Sequence, residues 1–220
     1  METREKIFRA AMQLFAERGF FQTTTEDITE AADVGQGTFF NYFPTKQHVL
    51  TVLSEKQMEK VAAAAHAAQA GKVSIHDVLH KLTHNIAEEP GRSQALTRSL
   101  VTALISNDQV RELVRGTMGR GRETLAGIIV LGQQRGEIRH DREPLSLALA
   151  FQRGVLGTLL LWAMQPAGNL HEWLDQAFRD FWAAIENREQ GTANRLQRKN
   201  NNSAPQSSSS KSRNQGAQDL

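Results

Sequence analysis

Apolar and polar positions along the chain recur with the period of an α-helix, and each periodic run ends at a glycine, a proline or a capping residue. Ile7, Phe8, Ala11, Leu14 and Phe15 share one face of a first helix, which Gly19 stops. Thr23, Thr24 and Thr25 then precede Glu26 and Asp27. Hydroxyls cap free N–H groups and acids suit the positive end of a helix, so a short helix starts here. Ile28, Ala31 and Ala32 form its apolar side, and Asp33, Val34 and Gly35 interrupt it. A second short helix runs over 36–43 and ends before Pro44.

Longer runs follow. A helix is predicted over 45–69, stopping at Gly71, and Ser74 caps another with Ile75, Val78, Leu79, Leu82 and Ile86 on one face. Glu88, Glu89, Pro90 and Gly91 end it, and further helices are predicted over 92–106, 108–135, 145–164 and 170–185. No segment alternates as a strand does, and no internal repeat is visible. The predicted fold class is therefore all-α, with about nine helices.

The two short helices around Val34 have the form of a helix-turn-helix. At about 100° per residue, Phe39 and Phe43 share the inward face of the second helix, with Val34 sealing the turn. Gly37, Thr38 and Asn41 point away, Tyr42 lies on the flank, and Gln36 sits at the helix N-terminus. Gln and Asn present paired donors and acceptors to adenine, and Thr contacts a thymine methyl. Lys46 stands where an ammonium and nearby N–H groups hold a phosphate. The pattern alone suits a small helical subdomain with a polar exterior nearly as well.

Composition narrows the class. The 220 residues are 40% hydrophobic and 23% charged, as in a soluble globular protein, and there is no cysteine. Disulfides, thiolate zinc sites and cysteine nucleophiles are thereby excluded, in keeping with a cytoplasmic location. The amphipathic, mixed-charge start is unlike a secretory signal. The apolar run over 145–164 is interrupted by Gln152 and Arg153, which points to a buried helix and no membrane span. Net charge is +2: residues 1–50 carry 5 Lys/Arg against 7 Asp/Glu, 51–187 carry 15 of each, and 188–220 carry 6 against 2. DNA contact at the first segment must come from a few placed donors, not from a general positive field. Residues 188–220, rich in Asn, Gln and Ser, read as a disordered basic tail.

The stretch from Gly19 to Lys46, with its G-T-x-x-x-Y-F-x-x-K core at Gly37 to Lys46, resembles the DNA-binding domain of the TetR family of transcriptional regulators. By that resemblance, Gln36, Gly37 and Thr38 meet bases, while Thr24, Thr25, Asn41, Tyr42 and Lys46 meet the phosphate backbone. Asp33 stands in place of a usual glycine, Gly35 of a serine and Phe40 of a tyrosine. The resemblance implies an N-terminal three-helix helix-turn-helix domain (1–50) followed by a helical effector-binding and dimerisation bundle (51–187). It further implies a homodimeric, ligand-responsive repressor acting on a palindromic operator in double-stranded DNA. A chromosome-organising or partner-recruiting DNA binder is the alternative.

In the second segment, Arg135, Gly136, Glu137, Ile138 and Arg139 before Asp141 carry the resemblance, together with the apolar helix over 145–162. Leu156, Leu160, Trp162, Trp173, Phe178, Phe181 and Trp182 are candidates for the dimer surface. Leu79, Leu82, Leu104, Met118 and Phe151 are candidates to line a pocket for a small-molecule effector, or else belong to the plain core. His76, His80 and His84 are spaced i, i+4, i+8, and adjacent pairs at that spacing can share zinc. They fall on the polar side of their helix, with no carboxylate in obvious reach beyond Asp77, so solvated histidines are expected, with no metal and no cofactor. No nucleophile–base arrangement, phosphate-binding glycine loop or carboxylate pair points to an enzyme.

Overall fold

The computed structural model describes residues 2–187, so the tail expected over 188–220 lies outside the described residues. Among the described residues nine α-helices run in order: α1 Thr3–Arg18, α2 Thr25–Ala31, α3 Gln36–Tyr42, α4 Leu50–Ala70, α5 Ile75–Glu88, α6 Gln94–Ser106, α7 Asp108–Gln134, α8 Pro144–Ala163 and α9 Leu170–Ile185. No strand occurs among the described residues, and a lone antiparallel bridge joins Ile138 to Glu186.

The helix ends follow the local chemistry. Thr24 accepts from the Asp27 N–H while the Asp27 carboxylate accepts from the Thr24 N–H at 2.8 Å, a reciprocal cap on α2. Ser74, Ser93, Asn107 and Asn169 cap α5, α6, α7 and α9 with their side chains. Gly35 caps α3 without a side-chain bond, as expected where serine is replaced. Asp33 adopts the left-handed conformation, φ 50°, that the turn between α2 and α3 requires.

Two expectations change. The helix predicted from Thr45 begins instead as a tighter 3-10 turn, Lys46–Val49, and α4 follows from Leu50. The turn is held because Lys46 reaches back to the carbonyls of Phe20 and Thr23, at 2.7 and 2.6 Å. Ala31 is exposed, so Ile28 and Ala32 alone form the buried apolar side of α2.

Apolar side chains gather in two clusters. Phe8, Phe15, Phe20, Phe39 and Phe43 are almost fully buried where α1, α2 and α3 meet, and this cluster continues to Leu96 on α6 and Val110 on α7. The second cluster joins α4, α5, α7, α8 and α9 around Leu79, Leu82, Ile128 and Phe151. Residue 50 marks the start of α4, whose Leu50 and Val52 belong to the first cluster and Val61 and Ala68 to the second. Burial of large apolar side chains at about 1.5–3 kcal/mol each makes these clusters the main stabilising contribution.

The segment after α7 ties four helices together at one end. Arg135 donates to the Ala68 carbonyl at the end of α4. Glu137 accepts from the Ile75 N–H at the start of α5, at 2.7 Å. Ile138 is fully buried against Gly132 of α7, and the Arg139 N–H donates to the Ile185 carbonyl at the end of α9.

α8 is long and apolar enough to cross a membrane by length and composition, yet it packs against α6, α7 and α9. Of the candidates for the dimer surface, Trp162 (7% exposed) and Phe178 (3%) are core residues of the chain itself. Trp162 fills the turn before α9 and donates from Nε1 to the Gly168 carbonyl at 2.9 Å. Leu156 and Leu160 remain exposed, and Trp173, Phe181 and Trp182 are half-buried.

Candidate nucleic-acid interface and effector cavity

α2, the turn at Asp33 and α3 form the helix-turn-helix, held from beneath by Ile28, Phe39 and Phe43. Gln36, Gly37, Asn41 and Tyr42 are exposed on α3, and Thr38 is half-buried. These side chains form one uncharged polar face with open space over Gly37, where a Cβ would meet nothing within 4 Å. Phe40 is half exposed beside them, and its ring meets Phe39 edge-on.

The donors at the margin are already engaged. Thr24 carries the α2 cap, and its hydroxyl donates to Asp27 at 2.8 Å. Thr25 donates to Glu26, and Gln36 Nε2 donates to the same carboxylate at 3.2 Å. Glu26 is held below its ordinary pKa by its own backbone N–H first and the Thr25 hydroxyl second. An acid thus stands beside the first base-reading candidate and accepts from its amide nitrogen.

Lys46 departs most from its expected role as a phosphate contact. Two of its three N–H groups serve the Phe20 and Thr23 carbonyls, and its ammonium lies 4.6 Å from the Phe20 ring. Burial lowers its pKa, against the opposing pull of Asp27. Only one donor remains for any phosphate. Arg4, Arg9 and Arg18 are likewise paired, with Glu55, Glu5 and Asp27.

Beneath this domain α4, α5, α6, α7 and α8 line a partly open cavity of about 230 Å³. Leu82, Leu104, Met118 and Phe151 line it, as proposed from sequence, but Leu79 does not: it packs inside the second core cluster. No lining residue is ionisable. Gln57, which sequence reasoning missed, also lines it; its Oε1 is buried with no hydrogen-bond partner, while its Nε2 donates to the Ile86 carbonyl at 3.1 Å. Nothing in the local pattern of α4 distinguishes Gln57 from a surface residue. Leu50 and Val110 both line the cavity and belong to the helix-turn-helix core.

The expectation of solvated histidines on α5 is also changed. His80 and His84 each lie 2.8 Å from Asp175 of α9, a carboxylate 91 or more positions away in sequence that no spacing rule could place.

The sequence model described as "Bacterial regulatory proteins, tetR family" matches residues 7–53. The HTH-type transcriptional repressor KstR of Mycolicibacterium smegmatis is 29% identical over 106 residues, 46% of this chain, which spans about half (52%) of that protein's length. The fatty acid metabolism regulator protein of Bacillus subtilis is 29% identical over 167 residues, covering 70% of this chain and 78% of that one. The crystal structure of Thermus thermophilus FadR, a TetR-family transcriptional repressor in complex with lauroyl-CoA, superposes with a TM-score of 0.59. Its sequence is 31% identical, with 81% of this chain and 92% of that chain covered.

The described residues form an all-helical fold with an N-terminal helix-turn-helix, and with these similarities the chain is a DNA-binding transcriptional regulator. It belongs to the TetR family.

Proposed function

We propose that the chain is a ligand-responsive repressor that acts as a homodimer on a palindromic operator, with an apolar small molecule as its effector. The observation that carries this reading is the continuity between the cavity and the helix-turn-helix core: Leu50 and Val110 serve both. An occupant that displaces Leu50 moves the start of α4, and with it α3, relative to a second copy. Operator affinity then falls because half-sites must lie about 34–36 Å apart.

In this reading Gln36, Gly37 and Thr38 meet bases, while Thr24, Thr25, Asn41, Tyr42 and the one remaining Lys46 donor meet phosphates. The ligand has a hydrocarbon body, because an uncharged lining cannot offset the desolvation of a buried charge. Its polar group lies at Gln57 or outside the cavity. Fatty acyl compounds fit this description, and the Thermus thermophilus relative holds lauroyl-CoA. The homodimer is supported by the face of α8 opposite the cavity, where Ala150, Gly154, Leu160, Leu161 and Met164 lie open. Such a protein works in the cytoplasm, without a membrane.

Binding is tested by fluorescence anisotropy on DNA selected from random sequence and on the region upstream of the chain's own gene. Specific retention of a palindrome, weakened by lauroyl-CoA or a comparable amphiphile, is expected. Uniform binding to all sequences would overturn operator recognition. Unchanged operator affinity across a series of apolar ligands would overturn effector control.

A further inference from the structure

We propose that His80, His84 and Asp175 form a binding site for a divalent transition metal ion of the zinc type, joining α5 to α9. His80 and His84 occupy successive turns of α5, and both Nε2 atoms lie 2.8 Å from the same Asp175 Oδ1. The three donor atoms fall within 4.8 Å of one another. Zinc bonds of about 2.0–2.2 Å in a tetrahedron separate neighbouring donors by about 3.3 Å. Each His–Asp pair therefore needs to open by only about half an ångström, and the partly exposed side chains leave room for that.

The surroundings favour the ion. His84 Nδ1 lies 3.1 Å from His171 Nδ1, so with Nε2 on the metal the Nδ1–H of His84 donates to His171. A metal-bound imidazole is ordinarily held in this way by a partner on its other nitrogen. His76, by contrast, is committed to Asp77 at 2.9 Å and leaves the fourth position to water. Two imidazoles and one carboxylate suit zinc, cobalt or nickel, whereas magnesium and calcium require more oxygen ligands. Four of the chain's seven histidines, His76, His80, His84 and His171, gather on this surface.

The site is separate from the effector cavity. Leu82 and Ile86 of α5 face the cavity, while His80 and His84 face α9. Metal binding at this position ties α9 to α5 without entering the ligand space.

The full chain, stripped with chelator, is dialysed against zinc chloride and its metal content measured by mass spectrometry. Cobalt is used in parallel for the visible bands of a tetrahedral site. About one zinc per chain is expected. Asp175→Asn, which keeps the shape, and His80→Ala should each abolish stoichiometric retention. His171→Gln should weaken binding about 10- to 100-fold. His66→Ala, an exposed histidine on α4, should leave it unchanged. No stoichiometric zinc in the wild-type chain would overturn the site. So would retention that survives Asp175→Asn, or that is lost with His66→Ala. Operator binding is scored separately, so failure here leaves the regulatory reading standing.

Discussion

The Lys46 ammonium donates to two carbonyls of the α1–α2 connection, so its loss leaves the Phe20 and Thr23 oxygens without their donor. Lys46→Met should therefore cost about 1–3 kcal/mol of stability in denaturant unfolding without DNA. Unchanged stability with weakened DNA binding would return Lys46 to a purely phosphate-binding role. Asp27 makes a second prediction. Its carboxyl is held below the ordinary value of 3.8, first by the Thr24 N–H and then by the Thr24 hydroxyl. A folded-state pKa that is depressed contributes stability above the unfolded value, and this is lost as pH falls through the folded one. The melting-temperature gap between wild type and Asp27→Asn should hold steady at neutral pH and close below pH 3.8. A gap that persists in acid would show that the carboxylate charge is not what holds the cap.

Among elements, the end of α7 is the most constrained. A Cβ on Gly132 would lie 2.6 and 2.9 Å from two carbons of Ile138, which is fully buried and cannot swing away. Gly132→Ala gains about 1 kcal/mol of helix propensity but overpacks the core by about 1–3 kcal/mol. A net loss of order 1 kcal/mol in denaturant unfolding is expected, and a gain would show that the loop after α7 yields. The short run from Arg135 to Arg139 was legible as a motif but not as a device. Its partners, Ala68, Ile75 and Ile185, lie on three helices that only the fold brings together. α8 shows a similar division. Its apolarity could be read directly, but one face covers the cavity and the other is open.

For the whole molecule, that open face makes dimerisation testable. Leu161 is 54% exposed on α8, on the side away from the cavity. Leu161→Arg should yield monomers by light scattering and lower affinity for a palindrome at least about 100-fold, while circular dichroism stays unchanged. A dimer that persists would move the interface elsewhere. In the proposed repressor, two regions matter: the cavity beneath α1–α3 and the open face of α8. Both α4 and α8 line the cavity; α4 also gives Leu50 to the helix-turn-helix core, and α8 carries the open face.

Helix periodicity, capping residues and turn chemistry are local, and the sequence by itself determined the helical architecture and the helix-turn-helix with its polar outer face. Asp33 at φ 50° and the uncapped N-terminus at Gly35 were readable for the same reason. Tertiary structure alone decided which donors were already in use, which apolar residues line a cavity and not a core, and that Asp175 meets two histidines. Each of these depends on pairs of residues distant in the chain, whose approach is set by packing of whole helices. On that account Lys46 gained two carbonyl partners, Leu79 fell in the core and not on the cavity, and His80 and His84 gained a carboxylate.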